Sequence, residues 1–378
     1  MSAVYSATAY DSRFAGWSRQ LLVLFVAFLI GVIVYGVLVT SIGRGADTVA
    51  APVTQTKPAA HEPANDDLRL YANIAKRVRQ GESYYAAAVV EHRFNNYPLQ
   101  PFYSVRLPTL AFVTANLDAD AMRLLALVLA AITCLAWWQR LDGAITDPGR
   151  RFLAATVLFA GAAPLLEPSM LNLHETWAGM LIALALAIYR DDRAWPAILA
   201  GTLAVLLRET ALPFLVLMAA FAFFERRWSQ VTAWIAAMAL LAFAMIAHAH
   251  ALTPHVNDGA LASPGWLGSQ GYASYLHYVH GTTGLSLLPM SVAAILVPLS
   301  LVGWMSWNSR IGLRMTFLQL GYAVAFMIVG RPNTFYWGFL IAPTVLMGAM
   351  FLPGAAPAIR YAYMSRWQLP KQAARETV

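Results

Sequence analysis

The stretch Leu21–Ile42, LLVLFVAFLIGVIVYGVLVTSI, contains no charged residue. A run of roughly 20 such residues makes a helix long enough to cross a hydrocarbon layer about 30 Å thick. It exceeds the apolar core of a cleaved signal peptide, so it reads as an uncleaved first transmembrane helix. The rest of the chain agrees: of 378 residues, 59% are hydrophobic and 12% charged, a composition that excludes an ordinary soluble enzyme. Further apolar runs fall at 119–138, 152–171, 175–189, 195–207, 210–224, 231–250, 288–307, 313–329 and 337–353, making ten with the first. The predicted class is an all-α polytopic membrane protein forming a single transmembrane domain. Its parts are a long first outer loop at 43–118, a second long outer loop at 251–287 and a basic tail at 354–378. The lone cysteine, Cys134, lies in an apolar run and excludes an intrachain disulfide.

The net charge of +7 is not that of a nucleic-acid binder once its distribution is considered. With the N-terminus inside, Arg13, Arg19, Arg140, Arg150, Arg151, Arg190, Arg193, Arg226, Arg227, Arg310, Arg314 and Arg360 all fall in inside segments. The short outer loops are almost free of cations, as the positive-inside rule requires. This pattern predicts ten spans with both termini in the cytoplasm. All eight histidines, together with Glu167, Glu175, Arg208, Glu209 and Arg331, then lie at or beyond the outer ends of helices. Ionisable groups at membrane depth are costly and are kept mainly where they pair or face a functional cavity, so the working face is predicted to be the outer one.

The first outer loop holds the densest polar sequence, Asn65–Pro108, NDDLRLYANIAKRVRQGESYYAAAVVEHRFNNYPLQPFYSVRLP. A Pro- and Ala-rich tether at 45–65 leads into a helix that stops at Gly81, a residue suited to the left-handed position after a helix. On that helix Asp67, Tyr71, Ile74, Ala75 and Val78 share one face, and Arg69, Lys76 and Arg79 the other. The pattern predicts an amphipathic helix lying along the membrane surface, with an acid at the head of its apolar stripe. Residues 106–117 are apolar but too short to span and read as a partly immersed piece.

Asp66 and Asp67 both suit an N-terminal cap, yet one cap needs only one acid, which leaves Asp67 as the preferred reactive carboxylate. Arg208-Glu209 interrupts an apolar hairpin. Helical neighbours point about 100° apart, so Arg208 is expected to find a partner elsewhere or a ligand. Glu167, His174 and Glu175 form an outer turn without a metal-ligand spacing, and His248 and His250 would diverge on a helix. No metal or other cofactor is predicted, although a divalent ion is chemically compatible. His277 and His280 share a helical face in the second loop, and Asp258 lies nearby. Arg331 runs against the charge bias of a short outer loop and suits a phosphate through its bidentate fork. Asn333 and Tyr336 follow it, and Tyr336 and Trp337 read as interfacial anchors.

Asp67-x-x-x-Tyr71, then Gly81, then Tyr103-x-x-Arg106-x-Pro108, behind a first transmembrane helix, resembles the GT-C superfamily of membrane glycosyltransferases. The nearest likeness is to lipid A aminoarabinose transferases and protein O-mannosyltransferases. The specific motif covers only the first outer loop, and Asp66-Asp67 stands where that family has Asp-Glu. The resemblance implies an inverting glycosyltransferase at the outer face of a bacterial inner membrane. It would pass a sugar from a polyprenyl-phosphate donor to a hydroxyl on a glycan or glycolipid acceptor. Asp67 or Asp66 would be the base, with Arg106, Arg208, Arg331 and His174 at the donor phosphate. Tyr71, Glu209, Glu175, Asn333 and Tyr336 would lie at the sugar and acceptor. A flippase for lipid-linked glycans would use the same arginines but should show internal repeats and broken helices. A histidine-dependent acyltransferase would need a reactive histidine in a buried channel.

Overall fold

A computed structural model describes residues 12–49, 63–257, 259–268 and 270–363. Among them there is no strand, only isolated bridges such as Gln100–Ala262 and Leu267–Val329. The helices are α1 (Arg19–Val49), α2 (Pro63–Arg79), α3 (Tyr84–Phe94), α4 (Thr109–Asn116), α5 (Ala119–Asp142), α6 (Pro148–Ala162), α7 (His174–Ile188) and α8 (Trp195–Leu207). They continue with α9 (Leu212–Phe224), α10 (Trp228–Leu252), α11 (Gly271–Thr282), α12 (Met290–Ser306), α13 (Arg310–Ile328), α14 (Ala342–Val345) and α15 (Leu352–Tyr363).

Five helical segments, Arg19–Ser41, Ala119–Asp142, Pro148–Leu166, Trp228–His255 and Arg310–Ile328, are long and apolar enough to cross a membrane. Their outward faces carry side chains such as Leu24, Phe28, Leu124, Leu135 and Phe243, an apolar exterior that suits a lipid surround. This is a helical, membrane-embedded protein. Four more predicted spans, on α7, α8, α9 and α12, are apolar but only 10–17 residues long. At 1.5 Å per residue they reach at most about 26 Å, short of the roughly 30 Å hydrocarbon core. Helix α7 is apolar on every side and buried along nearly its whole length, as expected of a helix enclosed by others.

The tenth run, 337–353, is not one helix. Asn333–Leu340 and Ala342–Pro357 meet at a 60° bend, and 3₁₀ turns occupy Pro332–Leu340 and Met347–Phe351. The carbonyls freed by this irregular backbone are bonded by neighbours. Ser300 Oγ donates to the Val345 carbonyl (2.6 Å), Trp304 Nε1 to that of Thr344 (3.2 Å) and Ser306 Oγ to that of Phe351 (3.2 Å). Irregular backbone is tolerated at membrane depth only when buried and bonded in this way. Two glycines allow the approach: a Cβ on Gly179 would lie 2.0 Å from the Phe339 carbonyl oxygen, and one on Gly303 1.8 Å from that of Gly348.

Contacts sort the basic segments into two ends. Arg13 donates to the carbonyls of Trp307 and Ser309, Arg140 to that of Ala187, and both Arg227 and Arg310 pair with Asp191. The segments around residues 13, 140, 190, 227 and 310 therefore share one end, as the charge count predicts. The first and second outer loops share the other, where Arg93 donates to the His255 carbonyl (3.0 Å).

The first loop differs from expectation in two ways. Helix α1 runs to Val49, beyond the polar turn predicted at Gly43. The apolar stripe of α2 does not face lipid: Leu70 and Ile74 are buried with Tyr84, Ala87, Ala88 and Val89 of α3. The faces are otherwise as predicted, with Arg69, Lys76 and Arg79 exposed, and Gly81 has the expected positive φ of 93°. Arg79 closes the end of α4, donating to the carbonyls of Thr114, Ala115 and Leu117 at 2.5–3.1 Å. The second loop contains a helix, α11, that carries His277 and His280 and buries Tyr275, Leu276, Tyr278 and Val279.

Candidate active site

Helix α8 stops at Leu207, and Arg208 continues in an extended conformation (φ −147°, ψ 110°) before the 3₁₀ turn Glu209–Ala211. That break turns the Arg208 side chain onto the first turn of α7, where its Nε lies 2.6 Å from Glu175 Oε1, with both side chains 1% exposed. Arg208 also pairs with Glu209 through Nη1. This corrects the expectation that the two neighbours would pair poorly, which held only for a continuous helix. The guanidinium lies 5.6 Å from the centroid of the Trp337 ring, adding a cation–π contact.

Glu209 carries the cluster outward, its Oε1 lying 3.5 Å from Arg106 Nη1. Arg106 in turn donates from Nε to the Tyr71 hydroxyl (3.1 Å), and the Tyr84 hydroxyl holds the Arg106 carbonyl at 2.5 Å. The Tyr71 ring meets His174 edge to face at 4.8 Å. Burial pushes the Tyr71 hydroxyl up to about 12, against the pull of Arg106, and Asp67 adds to the rise. Asp67 sits one turn before Tyr71 and acts electrostatically on Tyr336 as well. No described residue bonds the Asp67 carboxylate.

Seven of the predicted residues, Asp67, Tyr71, Arg106, His174, Glu175, Arg208 and Glu209, thus converge on one spot. Tyr336 joins them: it and Trp337 are buried (7% exposed), not membrane-surface anchors. The side chain of Asp66 lies outside the described residues, as does Asp258. The Arg331 guanidinium is bound through Nε and Nη2 to Ser263 Oγ (3.0 Å) and to the carbonyls of Pro264 and Gly265, and it stacks on Trp266. Its departure from the charge bias is explained by clamping of the second loop. Asn333 is exposed and outside the cluster. His248 bonds the Val105 carbonyl (3.1 Å), His280 that of Leu288 (2.9 Å), and Glu167 is exposed. Among the described residues no three His, Cys, Asp or Glu side chains gather as a metal would require.

Sequence reasoning missed Tyr84. It stands in the Tyr84-Tyr85 pair of the first loop, but its bond to a main-chain carbonyl leaves no trace in sequence. In charge Arg106 and Arg208 are matched by Glu175 and Glu209, which leaves Asp67 as the additional carboxylate of the cluster. In space it is nearly closed: the cavity lined by Tyr71, Tyr84, Arg106 and His174 holds about 10 Å³, scarcely one water. A separate apolar groove of about 490 Å³ runs between α9 and α13 beside Tyr322, whose hydroxyl donates to the Thr210 carbonyl (3.0 Å). No family model, curated protein or solved structure matches the chain.

Proposed function

We propose that this protein is a membrane glycosyltransferase that moves a sugar from a polyprenyl-phosphate donor to an acceptor hydroxyl with inversion, at the outer face of a bacterial inner membrane. The carrying observation is the bonded chain Tyr71–Arg106–Glu209–Arg208 with the Asp67 carboxylate, to which no described residue bonds, one helical turn before Tyr71. In this reading Asp67 takes the acceptor proton as the sugar C1–O bond forms and the bond from C1 to the phosphate oxygen breaks. Arg106, with Arg208 behind it, stabilises the negative charge that grows on the leaving phosphate. Glu209 is the movable part. It is 23% exposed, and a phosphate can replace it on Arg106 while the more deeply buried Glu175 stays with Arg208. The groove between α9 and α13, three residues along the chain from Glu209 at Leu212, suits the lipid tail.

Base catalysis contributes about 10²–10⁴-fold. Asp67→Asn should therefore lose at least about a hundredfold in sugar transfer from a polyprenyl-phosphate donor while still binding it. Arg106→Gln should weaken binding of polyprenyl phosphate roughly tenfold to a hundredfold, the value of a charge-assisted bond. Near-normal transfer by Asp67→Asn would remove the base from this residue, and unchanged binding by Arg106→Gln would remove the phosphate.

One observation favours a second reading. The buried, bent segment Asn333–Pro357 is the kind of broken element that carriers of charged substrates build at membrane depth. A flippase for a lipid-linked anion would move a fluorescent polyprenyl phosphate across proteoliposomes without consuming it, and Asp67→Asn would leave that movement intact.

A further inference from the structure

At the opposite end of α7 and α13 from Arg208, a cavity of about 990 Å³ opens among the ends of α5 and α7 and the start of α13. It is about twice as roomy as the groove between α9 and α13 (about 490 Å³), and none of the residues singled out for chemistry in the sequence lines it. Its wall contains four arginines, Arg140, Arg190, Arg310 and Arg314, against two aspartates, Asp191 and Asp192.

The carboxylates do not cancel that charge. Asp191 is shared between Arg310 and Arg227, and Asp192 meets Arg190 only at 3.5 Å with both side chains mostly exposed. Arg140 is bound to main-chain carbonyls of Ala187 and Tyr189, partners that carry no formal charge. Arg314 is fully buried between the rings of Tyr189 (4.6 Å) and Phe221 (4.9 Å). Its Nη2 reaches both oxygens of Glu225 at 2.9 Å, yet its Nε and Nη1 have no hydrogen-bond partner among the described residues. Helix α13 also begins at this wall; Ser309 Oγ caps its Gly312 N–H (2.8 Å), and the positive end of the helix dipole favours an anion there.

We propose that this cavity is an anion site that receives a phosphate group. Arg190 and Arg310 are the exposed arms that grip it, and the start of α13 and the fixed charge of Arg314 lie behind. Two uncompensated positive charges match a phosphate dianion, and guanidinium forks match its oxygens. A lipid headgroup and a free pyrophosphate carry the same chemistry. The site is separate from the outer cluster and stands or falls without it.

The test uses the full-length protein reconstituted in phosphatidylcholine nanodiscs. Binding of inorganic pyrophosphate is followed by calorimetry, and retention of added phosphatidic acid by native mass spectrometry. At least one probe should bind, and Arg190→Gln/Arg310→Gln should weaken it by about a hundredfold, roughly tenfold per charge-assisted contact. Asp192→Asn should tighten it about threefold by removing a competing charge, a gain that a misfolded variant would not show. Pyrophosphate alone would identify a soluble ligand, and phosphatidic acid alone a headgroup. Failure of both probes to bind, binding that the double variant leaves unchanged, or binding lost with Arg106→Gln instead would overturn the site.

Discussion

Arg208 and Arg314 are both fully buried, both lie over aromatic rings and both are bonded to a glutamate, yet they sit at opposite ends of the bundle in opposite circumstances. Around Arg208 every guanidinium has its carboxylate, and the neighbouring hollow beside Arg106 and His174 scarcely holds a water. Around Arg314 the compensation is partial and the space is large. A charge at membrane depth therefore marks a functional candidate without saying whether it is ready to bind. Readiness depends on how many of its neighbours are already spent. The closed end must move the partly buried Glu209 to admit a ligand, whereas the open end must loosen only the exposed pairs Arg190–Asp192 and Arg310–Asp191.

The comparison breaks first on stability. Removing one partner of a buried ion pair strands the other, at about 3–5 kcal/mol. Arg208→Ala should cost that much in thermal unfolding of the detergent-solubilised protein, because it strands Glu175 in a site 1% exposed. Arg314→Ala should cost less, since Glu225 keeps Arg227. Equal losses would mean that the two ends are built alike.

A second prediction concerns the backbone between the ends. Gly179→Ala puts a methyl 2.0 Å from the Phe339 carbonyl oxygen, and overpacking of this kind costs about 1–3 kcal/mol. It should also push Trp337, two residues before Phe339 in this segment, away from Arg208, read as a shift in tryptophan fluorescence. Unchanged stability would mean that the bent segment is free to retreat.

The smallest effects belong to the exposed arginines. Arg310→Gln should leave the unfolding temperature where it was, since surface substitutions away from packed features seldom matter. Arg331→Ala should raise hydrogen exchange at residues 263–266 while polyprenyl phosphate binding stays the same, because its guanidinium is occupied there. Weakened binding would return Arg331 to the phosphate and enlarge the outer site.

The sequence by itself determined the apolar helices, the two faces of α2, the left-handed Gly81, the segregation of basic segments to one end and the need of Arg208 for a distant partner. Each rests on local quantities: hydropathy over a window, the 3.6-residue period, the φ a glycine permits, a charge count. Only the tertiary structure decided that the partner is Glu175, that Arg331 clamps Ser263–Gly265, that Tyr84 fixes Arg106 through a carbonyl, and that residues 332–351 bend. It alone showed that the larger charged hollow lies at the end away from the histidines. The physical reason is that a polar side chain at a helix end is specified by what meets it across the bundle. That depends on where helices of unequal length stop beside one another, a property of the packed chain that no single segment carries.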